Sequence, residues 1–417
     1  MNHLGQPFFS IVIFTKNRSE VIGYALESVL KQSFHDFEVV VCDNDDPETH
    51  ETAMAIRKYD DARINYHRTN GRLSMPDNWE LGLSMARGRY VLSMTDRLVL
   101  KSYALQTIKM AIEHYGEDIY VWGYEELNDQ MAVQKLSRVC LESGYKVVES
   151  RLLFDLFLHR PYGEYSDYLP KGLNSCLSSA LLQEIRRSTG GHICMPISPD
   201  HTLAFLTLAH RRRVVIMNEP LFLWWAPRLS NGGSLMHGGE TGQRFLRDIG
   251  VIEEDLSSHM PIKAIGIHNS ICNDLMRLKR QFPELFQDVE LSLFHYFVVC
   301  HLEFSTWFTR DDPLYKQKMQ AWNQALDRES RHLAKLVRRC VRLGYPGFTQ
   351  GSVLTRVTRK TMRHLAPKLV ALHGVPALAV AKKVLRPWVK RDAHVDGGRW
   401  TNILEALEAL ESARYSH

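Results

Sequence analysis

Short apolar runs alternate with amphipathic stretches over the first 120 residues, and that alternation restricts the chain to a parallel sheet covered by helices on both faces. Phe9 to Phe14, reading FSIVIF, has the continuous apolar character of a buried parallel strand. Ser19 is placed to cap a helix whose Ile22, Ala25, Leu26, Val29 and Leu30 share one face. Phe37 to Cys42 is expected as the second strand. Pro47 to Lys58 follows as a helix with Pro47 near its first turn. Further strands are expected at Ile64 to His67, Tyr90 to Met94 and Ile119 to Trp122, with helices at Pro76 to Ala86 and Tyr103 to Tyr115. In such sheets ligands bind beyond the C-terminal strand ends. Those ends carry Thr15-Lys16-Asn17-Arg18, Asp43-Asn44-Asp45-Asp46 and Thr95-Asp96-Arg97.

From about 125 to 240 the pattern is mixed. Helices are expected at Leu181 to Arg187, closed by Gly190-Gly191, and at His201 to His210, and strands at Val214 to Met217 and Leu221 to Trp225. Beyond 241 the chain reads as helical. The expected organisation is therefore an α/β domain over 1–240, a helical region over 241–330 and a basic amphipathic helical extension over 331–417. With 417 residues, 45% hydrophobic and 24% charged, the chain is neither disordered nor collagen-like. No run approaches the ~18 apolar residues of a membrane-spanning helix. Met1 to Pro7 is too short and polar to be expected as a signal peptide. Seven cysteines, with no CxxC pair, read as reduced cytosolic thiols.

The motifs, in their order, resemble the family 2 glycosyltransferases with their Rossmann-like GT-A fold. The resemblance covers roughly 8–230. FSIVIFTKNR, ending at Arg18, is similar to the opening strand and nucleotide-meeting turn, and VVVCDN, ending at Asn44, to the second strand. Asn70-Gly71, Asn78 and Ala86 to Tyr90 follow the family's approach to its acidic loop. Gly190-Gly191 and Ser198-Pro199-Asp200 resemble the segment that delivers a catalytic base, and Asn218 to Leu223 the closing strand. The resemblance implies that Asp43 and Asn44 contact a base, that Thr15, Asn17 and Arg18 line the ribose and phosphate end, and that Asn78 belongs to the donor site. It implies that Asp200 deprotonates an acceptor hydroxyl for an inverting attack on a nucleotide sugar, UDP-linked by expectation.

The acidic loop departs from the family, which places two or three carboxylates there and binds Mn²⁺ or Mg²⁺. Here it reads Ser93-Met94-Thr95-Asp96-Arg97-Leu98. Asp96 is the residue that would hold a metal, with Arg97 standing where a second carboxylate is expected. One carboxylate beside an arginine is a poor site for a hard cation, whereas a guanidinium fork can itself neutralise a diphosphate. Two readings of Asp96 stay open: a ligand, or a cap for the next helix. Arg97 and Lys101 at helical spacing are either a phosphate clamp or a solvated face. The Trp224-Trp225 pair either stacks on a sugar or packs in the core, and the Ser230 to Ser234 run is either a lid or a linker. His192, His201 and His237 are assigned no role.

Between Lys335 and Arg391 lie 14 Lys and Arg and no Asp or Glu. Removing those 14 from the 52 basic residues leaves 38 against 47 acidic ones, a balance of −9 for the rest of the chain. Leu333, Leu336, Val337, Cys340 and Val341 form an apolar stripe opposite Lys335, Arg338, Arg339 and Arg342. This combination suits an anionic membrane surface, with a solvated helical face as the other reading. Nucleic acid is not expected, because few aromatics interleave the charges. The expected protein is a cytoplasmic transferase, peripheral at the inner membrane face, acting on a surface glycan or lipid-linked acceptor. A degenerate member serving as a membrane-docked assembly partner is the alternative.

Overall fold

The computed structural model describes residues 5–71, 73–128, 135–140, 144–159, 168–195, 197–225, 231–344, 391–394 and 403–412. They fall into two compact units. The first opens with β1 (Phe9–Thr15), α1 (Ser19–Leu30), β2 (Phe37–Asp43), α2 (Glu51–Ile56), β3 (Ile64–Arg68), α3 (Met75–Met85) and β4 (Tyr90–Thr95). It continues through β5 (Leu98–Leu100), α4 (Ala104–Tyr115), β6 (Ile119–Asn128), β7 (Lys135–Cys140) and β8 (Tyr145–Glu149). After α5 (Ser150–His159), most of which lies in the second unit, come β9 (Ser175–Ser178), α6 (Ser179–Ser188), α7 (Pro199–His210) and β10 (Arg213–Trp225).

The parallel order β3-β2-β1-β4 forms as the alternation dictates, with Thr15 level with Asp43 and Phe14 level with Thr95. Every residue of β1 and β2 is buried, as a strand covered on both faces requires. Beyond β4 the sheet turns mixed: β9 pairs antiparallel with both β4 and β6, and β10 runs parallel to β6. Ser10 donates to Glu38 at 2.6 Å, and Arg87 grips the same carboxylate from Nε at 2.8 Å and Nη2 at 2.6 Å. Gly88 passes so close that a Cβ there would lie 2.4 Å from the Ser10 nitrogen, so only glycine fits between α3 and β4.

Several expected boundaries shift. Arg18, not Ser19, is the N-cap of α1, and Pro47 lies outside α2, which starts at Glu51. The two strands expected at 214–217 and 221–225 are one strand, β10, with its register broken between Met217 and Phe222. Residues 98–100, which precede the helix expected from Tyr103, form β5 against β10.

The second unit contains α8 (Asn231–Met236), α9 (Glu240–Asp248), α10 (Ile267–Gln281), α11 (Leu293–Trp307), α12 (Pro313–Asp327) and α13 (Arg331–Arg342). Most of the Ser/Gly run, from Asn231 to Ser234, lies in α8. Its core joins Tyr296, Phe297 and Phe304 to Trp322 and Leu326, and to Val337 and Cys340 of α13. The expected divisions at 240 and 330 are therefore not where the structure divides: the chain leaves the first unit near 230, and α13 is built into the helical core. The apolar stripe of α13 is consumed there, while Lys335, Arg339 and Arg342 stay exposed. The remainder of the basic segment up to Lys390 lies outside the described residues. β11 (Arg391–His394) pairs with β7, and α14 (Ile403–Ser412) packs Ile403, Ala406, Leu407 and Leu410 on Val99, Leu127 and Leu223 of the first unit. No described helix is long and apolar enough to cross a membrane.

Candidate active site

The C-terminal ends of β1, β2 and β4 bring the three expected polar clusters to one edge. Asn17 takes a left-handed conformation, φ 53°, which its short polar side chain tolerates. Its backbone N–H donates to Asp45, its side-chain amide donates to Asp46 at 2.8 Å, and its carbonyl accepts from the Asp46 N–H at 3.1 Å. Asn17 therefore clips the β1 loop to the β2 loop. Asn44 is likewise occupied: Oδ1 accepts from Thr69 at 2.5 Å and from the Leu73 N–H at 3.2 Å, and its amide donates to the Leu73 carbonyl at 2.7 Å. Asn78 is buried on α3 and donates to the Cys42 carbonyl at 3.3 Å, bracing β2. These three asparagines hold the edge in shape.

Asp43 accepts from the Tyr66 hydroxyl at 2.5 Å and the Asp45 N–H at 2.8 Å. Burial raises its pKa to about 6 against the lowering effect of those bonds. Beside it, Asp45 is fully buried, with Oδ2 lacking a hydrogen-bond partner among the described residues. Thr15 donates to Asp96 at 2.8 Å, and Arg18 Nε stands 4.0 Å from the same carboxylate oxygen. Burial pushes Asp96 up to about 6 despite Arg18, Thr15 and Arg97. Asp96 does not cap the following helix, since β5 intervenes and Tyr103 is the N-cap of α4. Arg97 has its carbonyl held by the Trp225 N–H at 3.0 Å and its guanidinium 6.0 Å from the centre of the Trp224 ring. Burial and then Arg18 lower its pKa, and Asp96 raises it. Lys101 is not a second cation one turn on: the intervening residues are a strand, and Lys101 is buried against Glu125 at 2.8 Å. Trp224 and Trp225 pack against the core.

Asp200 sits at the second position of α7, behind Ser198 as N-cap and Pro199 as the first helical residue. Its carboxylate faces His201 Nδ1 at 3.1 Å and keeps 27% of its side-chain surface exposed. Burial raises its pKa, but His201 and then Lys171 outweigh this and hold it at about 2. The Glu80 carboxylate on α3 accepts from the Ile193 and Cys194 N–H groups, the latter at 2.6 Å, anchoring the loop that Gly190 and Gly191 open with φ of 72° and 108°. Gly172 packs between Ser93 of β4 and Leu203 of α7, which keeps the Lys171 loop and the Asp200 helix beside the acidic loop. His201, Glu80, Tyr66 and Lys171 carry no sequence signal; their roles arise from tertiary neighbours. Among the described residues no cluster of three His, Cys, Asp or Glu could hold a metal ion.

Residues 10–153 match the family model described as glycosyl transferase family 2. A GalNAc(5)-diNAcBac-PP-undecaprenol beta-1,3-glucosyltransferase of Campylobacter jejuni is 30% identical over 103 residues, 24% of this chain. The matched stretch spans about a third of that relative, 33% of its length. Among solved structures, S. aureus TarS 1–349 in complex with UDP-GlcNAc aligns at a TM-score of 0.45 with 15% identity, covering 81% of this chain and 92% of that one. S. aureus TarS itself gives 0.42 at 15% identity, covering 80% and 55%. Residues 10–153, from β1 into α5, thus carry a family 2 glycosyltransferase match, on the mixed α/β sheet of a GT-A fold.

Proposed function

We propose that the protein is an inverting glycosyltransferase that moves a sugar from a nucleotide-sugar donor, UDP-linked in the first instance, to a hydroxyl of a lipid-linked or surface glycan. The observation that carries this reading is Asp200, partly exposed on the first turn of α7 and held ionised by His201. Asp43 and Asp45 offer acceptors for the base, and Arg18 stands at the phosphate end. In the transfer step the acceptor oxygen bonds to the anomeric carbon as the bond to the diphosphate oxygen breaks, and the acceptor proton passes to Asp200. A carboxylate at about 2 is ionised throughout the physiological range and takes the proton only as the attacking hydroxyl becomes acidic in the transition state. The lipid-linked class is supported by the undecaprenol-linked substrate for which the Campylobacter relative is named and by the basic 335–391 segment.

The Asp200–His201 pair also supports a second assignment. With Nδ1 on the carboxylate, His201 Nε2 is buried and has no hydrogen-bond partner among the described residues. Asp200 could then orient an imidazole that is itself the proton acceptor. The primary test is Asp200→Asn, which keeps size and shape but cannot accept the proton. Nucleotide binding by calorimetry should persist while turnover falls by ~10²–10⁴-fold. Turnover at the parent rate would remove Asp200 from the chemistry.

A further inference from the structure

The family implies a divalent cation beside the diphosphate, and the residues on the β4 edge do not fit one. Mg²⁺ needs a near-octahedral set of oxygen ligands and normally one or two available carboxylates. The Ser93 to Leu98 loop offers one carboxylate, Asp96, which is 5% exposed. Its Oδ2 already accepts from Thr15 at 2.8 Å and faces Arg18 at 4.0 Å. Glu20, exposed on the first turn of α1, is the other carboxylate whose charge bears on Asp96, and solvent screens it.

What the loop does hold is a pair of guanidinium groups around that single carboxylate. Arg18 follows the β1 turn and Arg97 follows Asp96. Arg97 is fixed by its carbonyl bond to Trp225 and by the Trp224 ring, yet its Nη1 is buried with no acceptor among the described residues. Buried donors are nearly always satisfied, so an unmet guanidinium N–H at the ligand edge marks where an acceptor is to come. A diphosphate supplies such oxygens, and a guanidinium fork binds them with charge and geometry together.

Resting on the glycosyltransferase reading, we propose that Arg97, with Arg18, takes the place of the divalent cation and neutralises the departing diphosphate. The experiment is calorimetric binding of uridine and UDP to the full chain, with chelator or with added Mn²⁺ or Mg²⁺. Parent affinity for UDP should change less than about twofold between those conditions. Arg97→Gln should weaken UDP by at least about tenfold while leaving uridine unchanged, because only the diphosphate has lost its partner. Should Arg97→Gln lose uridine as well, Arg97→Lys, which keeps the charge and the stem, decides: UDP bound within about tenfold of parent supports the proposal, and equal loss of uridine and UDP overturns it. UDP affinity that collapses with chelator and returns with Mn²⁺ overturns the metal-free site alone. Parent-like UDP binding by Arg97→Gln overturns the role of Arg97. If neither UDP nor the GDP, CDP and dTDP run beside it bind the parent, the glycosyltransferase reading itself fails, and this inference with it.

Discussion

Asp200 and His201 show how one contact sets the charge of the carboxylate proposed as the base. Burial alone would raise the Asp200 pKa, and the imidazole 3.1 Å away reverses that to about 2. A group whose pKa is depressed works above that pKa and fails as pH falls through it, so the acid limb of the parent rate profile lies far below neutrality. In His201→Gln the imidazole contact is gone and burial dominates, so the acid limb should move to higher pH. Turnover at neutral pH should then fall by roughly tenfold or less, because the carboxylate stays the acceptor. A pH–rate profile on the purified variant checks this. Loss as deep as that of Asp200→Asn, with nucleotide binding intact, would instead make His201 Nε2 the proton acceptor.

At the level of elements, α3 does more than cover the sheet. Its Trp79 stacks on Phe14 at 4.7 Å, and Gly82 lets the helix settle against Val12, Phe14 and Cys42. Once seated, α3 points Glu80 at the Ile193 and Cys194 N–H groups, with Arg186 Nη2 3.7 Å from the same carboxylate. The loop that leads into α7 is thus tied to a helix that covers β1 and β2. Glu80→Ala leaves two backbone donors unmatched, a loss of about 1–3 kcal/mol. The expected outcome is a lower urea midpoint and slower turnover with nucleotide affinity little changed. Unaltered unfolding and unaltered turnover together would show the tie to be idle.

On the scale of the molecule, the two ends of the chain meet in one unit. α14 covers Val99, Leu127 and Leu223, and Glu411 accepts from the Ser102 N–H at 2.6 Å and hydroxyl at 3.1 Å. A truncation near Glu329 would remove α13 from the helical core and α14 from the sheet domain, so it cannot isolate a membrane contact. The informative measurement keeps the full chain and varies salt. Lys335, Arg339 and Arg342 are exposed on α13, and ten more Lys and Arg follow them from Arg356 to Arg391. Each adds ~1 kcal/mol near an anionic leaflet, so the chain should sediment with anionic vesicles and release as ionic strength shortens the Debye length. Absence of sedimentation at low salt, or binding indifferent to salt, would remove the membrane surface from the proposal.

What the sequence determined by itself is the first half of the sheet. Strands buried on both faces are continuous apolar runs, helices carry their own period, and polar residues at strand ends fall on one edge by topology alone. Asp43 and Asp96 stand on that edge for this reason, whereas Asp200, on the first turn of α7, was reached only through the family resemblance. The tertiary structure decided which polar residues remain available. Asn17, Asn44 and Asn78, expected at the donor site, are bound to segments 29–36 residues away in sequence, pairings that no local pattern encodes. It also made 98–100 a strand, because β10 pairs with it, and so turned Lys101 from a helical neighbour of Arg97 into the buried partner of Glu125. The stripe on α13 was read correctly as apolar and amphipathic, but periodicity states only that a face must be covered. Packing decided that α11 and α12, rather than lipid, cover it.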